Sequence, residues 1–156
     1  MIKVIIADDQ KILAEGIRTV LETSEKIKVI ALASDGEDCL KKIAEEKPDV
    51  VLLDIRMPNM NGVIATREIK KNYPDIKVVI LTTFDDSDYI LDAINYGASG
   101  YLLKDINASS LIDAVVNAYN GELILPTNIA KKITAAAKMV TTGKEIRLKR
   151  AFQLSD

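Results

Sequence analysis

The sequence lacks histidine and tryptophan, holds a single cysteine and contains few aromatic residues (4%). The missing histidine excludes Ser/His and Cys/His catalytic arrangements and every zinc site that needs an imidazole. The lone cysteine cannot form an internal disulfide. No apolar run approaches the roughly 18 residues of a membrane span, and the N-terminus has no signal-peptide pattern. We therefore expect a cytoplasmic protein without membrane contacts, whose chemistry depends on carboxylates, hydroxyls and lysines.

The chain has 156 residues, of which 48% are apolar and 28% charged, and this suits one domain with a substantial core. A net charge of -2 does not indicate bulk attraction to nucleic acid. The C-terminal piece differs in charge, because residues 138–156 carry five basic but only two acidic side chains.

Five short β-prone segments alternate with helical segments over residues 1–125. The strand segments are KVIIA (3–7), KVIALA (28–33), DVVLLD (49–54), KVVILTT (77–83) and GYLLK (100–104). Most are continuously apolar, which is typical of strands covered on both faces, and the helical crossovers favour a parallel sheet. The pattern predicts a doubly wound α/β domain with a five-stranded parallel sheet over residues 1–125. Residues 126–156 form a predicted connector with a basic tail, and its alanine-rich part, residues 127–140, predicts a linker helix.

Polar side chains follow four of the five strands. They are Asp8 and Asp9, then Asp54, then Thr82 and Thr83, then Lys104 and Asp105. The second strand ends in SDG, which is typical of an ordinary turn. Because ligands of open α/β sheets bind at the carboxyl ends of the strands, we expect the polar side chains to meet at one edge.

These residue types suit phosphoryl transfer, in which a protein mainly positions the group and neutralises its charge. Three converging carboxylates would repel one another unless a hard cation were present, and Mg²⁺ prefers such oxygen ligands. We assign Asp54 as the nucleophile that becomes an aspartyl phosphate. Asp9, helped by Asp8, would hold Mg²⁺. Lys104 and the Thr82 hydroxyl would contact the phosphoryl oxygens.

Most of these residues also have a simpler interpretation when taken alone. Asp8 and Asp9 could cap and begin the following helix. Thr82, Lys104 and Tyr101 could be ordinary strand residues. An acid directly after the apolar VVLL segment has no obvious capping role, and the joint placement of the whole set at one edge favours function.

Together, these motifs resemble the receiver domains of bacterial two-component response regulators over nearly all of residues 1–125. The motifs are IIADDQ for the acidic pair, LLDIRMPNMNG for the acceptor loop, ILTTF for the hydroxyl, and GASGYLLKD for the aromatic residue and the lysine. The resemblance implies a flavodoxin-like fold and a sensor histidine kinase as phosphoryl donor to Asp54. It implies that the backbone carbonyl of Arg56 completes the protein ligands of Mg²⁺. It also implies a switch, in which Thr82 moves toward the phosphoryl group, Tyr101 changes rotamer and the protein forms a homodimer on phosphorylation.

Within that family, GYLLKD and GASGY resemble the NarL/LuxR class, whose output is a helix-turn-helix DNA-binding domain. In that class the output domain commonly begins with a Leu-Ser or Leu-Thr pair and a charged residue, and this chain ends in LSD. We therefore expect a shortened transcriptional regulator, which contacts DNA only through an output domain absent from this chain.

Two other functions remain open at this point. A stand-alone receiver would act by protein contact without binding DNA. A phosphohydrolase of the haloacid dehalogenase type also combines an aspartate nucleophile with Mg²⁺, but it needs an acid where this chain has Arg56, and it carries the nucleophile on the first strand. We expect a phosphoacceptor switch that promotes only its own phosphorylation and dephosphorylation, and not a turnover enzyme.

Overall fold

Five parallel strands form one sheet, in the order β2-β1-β3-β4-β5, in a computed structural model that describes residues 1–82 and 87–125. The strands are β1 (Ile2–Ala7), β2 (Ile27–Ala33), β3 (Val50–Leu53), β4 (Lys77–Thr82) and β5 (Gly100–Leu103). The helices are α1 (Lys11–Leu21), α2 (Gly36–Glu46), α3 (Gly62–Asn72), α4 (Ser87–Asn95) and α5 (Ala108–Tyr119). The predicted doubly wound, flavodoxin-like fold is confirmed. Thr83 and the predicted linker helix, residues 127–140, lie outside the described residues.

Helices cover both faces of the sheet, and this explains why the strands are continuously apolar. All four residues of β3 are buried. Val51 and Leu53 pack with buried residues of α2, α3 and α4, whereas Val50 and Leu52 pack with those of α1 and α5. Each such side chain contributes about 1.5–3 kcal/mol when it is fully buried. Because successive strand residues point to opposite faces, β3 must be apolar at every position to supply both cores.

Helices α2, α3 and α5 begin at the carboxyl edge of the sheet with side-chain caps. Asp35, Asn61 and Asn107 precede α2, α3 and α5, and each accepts a hydrogen bond from a backbone N–H in the first turn. A capping side chain of this kind stabilises a helix by about 1 kcal/mol. The caps hold the loops of this edge, where the predicted site residues lie.

Cys39 lies on α2 and is fully buried. Burial raises the pKa of its thiol to about 12. The thiol therefore behaves as a small apolar side chain and not as a nucleophile. Among the helices of the described ranges, none has both the length and the apolar character needed to cross a membrane.

Candidate functional site

Asp8 and Asp54 follow two neighbouring strands at the same level of the sheet. Ala7 pairs with Leu53 in the ladder between β1 and β3, so each acid is the next residue beyond the pair. The backbone N–H of Asp54 donates to the Ala7 carbonyl (2.9 Å). The two residues are only 4% and 9% exposed, and carboxylates buried to this degree need a compensating charge.

Lys104 supplies a compensating charge from the other side of β4. It directly follows β5, and its backbone N–H donates to the Thr82 carbonyl at the end of β4 (2.7 Å). Its Nζ lies 2.7 Å from Oδ2 of Asp8 and 3.2 Å from Oδ2 of Asp54. The Lys104 side chain is itself buried. One ammonium therefore bridges two acids from separate strands in a site that is largely shielded from water.

Burial and two neighbouring charges act on the Asp54 carboxyl. Burial raises the pKa of this carboxyl, the positive charge of Lys104 opposes the rise, and the negative charge of Asp8 adds to it. Lys104 also lies closer to Asp8 than to Asp54. A divalent cation beside Asp54 would lower its pKa and keep the carboxylate ionised.

The donor set of the site suits Mg²⁺. Asp8, Asp9 and Asp54 each offer one carboxylate oxygen, and these oxygens all lie within 4.8 Å of one another. Asp9 is exposed, which leaves one side of the cluster open to water. Mg²⁺ binds oxygen ligands and keeps several of its waters, so two buried carboxylates beside an exposed one fit this ion.

The simpler interpretation of Asp8 and Asp9 as helix-capping residues is wrong. Helix α1 begins at Lys11 with Gln10 as its N-cap residue, and in this described helix the first turn contains no acid. Asp8 instead accepts the backbone N–H of Gln10 at Oδ1 (2.9 Å). This local turn orients the Asp8 carboxylate, whose other oxygen contacts Lys104.

The remaining predicted residues surround this cluster. Thr82 ends β4 and is 1% exposed. Tyr101 lies on β5, where it is buried in the core cluster next to α2, α3 and α4. Arg56 lies in the loop after Asp54 with its side chain exposed. The structure thus brings Lys104 into contact with both Asp8 and Asp54 and places Thr82 at the end of β4, Tyr101 within β5 and Arg56 in the loop after Asp54.

Contacts of the β3–α3 loop, residues 54–61, were missed by reasoning from sequence. Asn59 Nδ2 donates to Oδ2 of Asp35 (2.7 Å), and the Gly36 N–H donates to the Met60 carbonyl (3.1 Å). Asp35 and Gly36 both belong to the SDG sequence after β2, which predicts a turn but no contact with another loop. No local pattern signals a contact between loops that lie 24 residues apart.

Gly62 closes the β3–α3 loop tightly. Its N–H donates to the Ile55 carbonyl (2.8 Å), and a Cβ at this position would collide with the backbone carbonyl of Asp54. Only glycine allows the chain to turn into α3 this close to the acid.

Residues 4–116 match the response regulator receiver domain. The chain therefore belongs to this family, the receiver domains of two-component response regulators. Its relatives place it further in the NarL/LuxR class of that family.

Sequence and structure comparisons agree with that placement. The chain is 45% identical over 133 residues to the transcriptional regulatory protein LnrK of Bacillus subtilis, covering 85% of this chain and 60% of LnrK. The chain thus spans about three fifths of that relative. It is similar to a LuxR-family response regulator from Aurantimonas sp. SI85-9A1 (TM-score 0.82, 28% identity, 90% of this chain and 99% of the other). It is also similar to the receiver domain of NarL from Mycobacterium tuberculosis (TM-score 0.74, 30% identity, 78% and 98%).

Proposed function

We propose that Asp54 accepts a phosphoryl group from a phosphohistidine of a sensor histidine kinase. The observation that carries the proposal is the bridge from Lys104 Nζ to Asp8 and Asp54 at the carboxyl edge of the sheet, in a chain of the receiver family. An Asp54 carboxylate oxygen attacks phosphorus, and the P–N bond of the donor breaks. The electron pair leaves on the imidazole nitrogen, and the product is an aspartyl phosphate.

Asp8, Asp9 and Asp54 are the proposed side-chain ligands of Mg²⁺, and the backbone carbonyl of Arg56 is the proposed fourth protein ligand. Bound there, Mg²⁺ would neutralise charge on the phosphoryl oxygens. The convergence of three carboxylates within 4.8 Å supports this assignment.

Lys104 and Thr82 are proposed to bind the phosphoryl oxygens directly. The Lys104 ammonium already lies 3.2 Å from Asp54, so it can bind a group attached to that side chain with little movement. Its charge opposes the negative charge that the transfer brings into the site. The Thr82 hydroxyl is the neighbouring donor, at the end of the strand between Asp54 and Lys104.

Phosphorylation is proposed to switch a transcriptional output through homodimerisation and an attached DNA-binding domain. The backbone hydrogen bond from Lys104 to Thr82 joins the ends of β4 and β5 (2.7 Å). Tyr101 lies on β5, three residues before Lys104. A shift of Thr82 would therefore act through this hydrogen bond on β5, the strand that carries Tyr101. The description of LnrK as a transcriptional regulatory protein supports the proposed output.

Phosphoryl incorporation tests the assignment of Asp54. With acetyl phosphate and Mg²⁺, we expect the wild type to gain the mass of one phosphoryl group and Asp54→Asn to gain none. Asp75→Asn is the matched control, because Asp75 is exposed and precedes β4 at the opposite edge of the sheet. Full incorporation by Asp54→Asn, or equal rates with and without a chelator, would refute the proposal.

A further inference from the structure

The β3–α3 loop carries both Asp54 and Arg56, so its position decides whether their oxygen atoms can meet one ion. The start of the loop is held by the hydrogen bond from Asp54 N–H to the Ala7 carbonyl. Its end is held by the bond from Gly62 N–H to the Ile55 carbonyl. These two bonds leave the middle of the loop, residues 56–60, to be positioned by other contacts.

Within this segment Met57 packs into the core, and the turn between β2 and α2 supplies polar contacts at Asn59 and Met60. One carboxylate, that of Asp35, accepts the Asp38 N–H at Oδ1 (2.8 Å) and Nδ2 of Asn59 at Oδ2 (2.7 Å). These two hydrogen bonds, in that order, hold the pKa of Asp35 below its usual value. The same carboxylate therefore begins α2 and binds the β3–α3 loop, with charge-assisted hydrogen bonds in both cases.

The backbone of Asn59 is strained in a way that suits this contact. Its φ of +65° lies in the left-handed region, which asparagine tolerates better than most residues. A non-glycine residue in this region is strained and persists where surrounding contacts hold it. The hydrogen bond to Asp35 is such a contact.

A second contact lies directly beside the first. The Gly36 N–H donates to the Met60 carbonyl (3.1 Å), and a Cβ on Gly36 would lie 2.6 Å from that oxygen and 2.8 Å from the Met60 Cβ. The two loops therefore touch at backbone distance, and a displacement of the turn would displace the loop.

We propose that the Asp35–Asn59 hydrogen bond, here called the Asp35–Asn59 clasp, positions the β3–α3 loop so that the Arg56 carbonyl can join the carboxylates in binding a divalent cation. The inference rests on the proposed function, which assigns the cation to Asp8, Asp9 and Asp54. Asp35 and Asn59 are positioning residues, because they act on the ion through the loop. Residues that orient ligands in this way commonly change metal affinity by tenfold or more when they are replaced.

Exchanging the two partners tests the clasp. In Asp35→Ala, the acceptors of both hydrogen bonds are lost; alanine is chosen because an asparagine could still donate to a reoriented Asn59 side chain. In Asn59→Asp, two carboxylates face each other. The double variant D35N/N59D restores one donor and one acceptor in exchanged positions without changing the net charge. We expect each single variant to weaken Mg²⁺ binding by about tenfold and the double variant to recover most of that loss.

The readout is the Mg²⁺ dissociation constant, from a titration of backbone amide chemical shifts with MgCl₂ at constant ionic strength. Thermal unfolding of each variant without Mg²⁺ is measured in parallel. Asn59→Gly distinguishes an effect on the position of the loop from an effect on the stability of the fold. Glycine removes the clasp and also relieves the strain of the positive φ at residue 59. We expect this variant to unfold at or above the wild-type temperature and yet to bind Mg²⁺ more weakly, which a general loss of structure would not produce.

The outcomes distinguish this inference from the proposed function. If the wild type binds Mg²⁺ and all three single variants bind it equally well, the clasp is refuted and the function of Asp54 is untouched. If the double variant is as weak as the singles, the exchanged hydrogen bond does not position the loop and the inference fails. If the wild type itself does not bind Mg²⁺, both proposals fall.

Discussion

Lys104→Met tests whether this ammonium is what stabilises two buried carboxylates at one sheet edge. At an effective dielectric constant of about 20, unit charges 2.7 and 3.2 Å apart attract by about 6 and about 5 kcal/mol. Desolvation of all three groups offsets much of this gross attraction. Removing one partner of such a buried network costs about 3–5 kcal/mol net. We expect the variant to lose that much free energy of unfolding at neutral pH without divalent cations.

The loss should depend on pH in a definite direction. Burial raises the pKa of Asp54, so ionisation of this group destabilises the folded protein as the pH rises, and more strongly when Lys104 is absent. As the pH falls through that raised pKa, Asp54 becomes neutral and has less need of the ammonium. The difference between wild type and variant should therefore be largest at neutral pH and shrink as the pH falls through the pKa of Asp54.

Urea unfolding followed by circular dichroism, repeated at several pH values, measures both the loss of unfolding free energy and its dependence on pH. Arg18→Met is the control, because the Arg18–Glu22 pair has a similar distance (3.3 Å) but both side chains are more than one third exposed. An exposed pair of this kind contributes less than about 1 kcal/mol. Added Mg²⁺ should restore part of the stability of Lys104→Met and have little effect on the cost of the control substitution. The reasoning would be refuted if Lys104→Met were as stable as the wild type at neutral pH. It would also be refuted if the difference in unfolding free energy between them were the same at every pH.

Two other predictions concern the buried side chains of Thr82 and Cys39. Thr82→Ala should still gain one phosphoryl group by intact mass but should dimerise less on phosphorylation in analytical ultracentrifugation, because it lacks the hydroxyl proposed to bind the phosphoryl group. Wild-type dimerisation would contradict that role. The Cys39 thiol is buried and its pKa is raised to about 12. Its reaction with a disulfide reagent such as DTNB should therefore be no faster than the unfolding motion that exposes the thiol. Rapid labelling of the native protein would show that the helix around it is not packed as described.

The sheet and the main acids of the site could be predicted because their signals are local. A continuously apolar VVLL segment requires cover on both faces, and β3 has it. Parallel strands bring their carboxyl ends to one edge, so acids and a lysine that follow different strands must approach each other. The structure shows this convergence, because Lys104 after β5 contacts both Asp8 after β1 and Asp54 after β3.

Features that depend on distant partners could not be predicted in this way. The sequence ADDQK is compatible with a helix cap at either acid, and only the backbone after β1 decides that α1 begins at Lys11. The contact of Asn59 with Asp35 likewise depends on the left-handed conformation of Asn59 and on the packing of Gly36 against Met60. The Asn59–Asp35 contact depends on where two loops meet, and no periodicity within either loop encodes it.

The balance of charge in the site explains why a cation and a phosphoryl group would act together there. One ammonium faces three carboxylates, and it lies closer to Asp8 than to the proposed acceptor. Burial raises the pKa of Asp54 and the negative charge of Asp8 adds to the rise, so further positive charge would favour the ionised, nucleophilic carboxylate. A divalent ion would keep Asp54 ionised and leave Lys104 able to bind incoming phosphoryl oxygens. Because the Lys104 backbone is hydrogen-bonded to Thr82, a movement of the Lys104 backbone would act on the ends of β4 and β5 together.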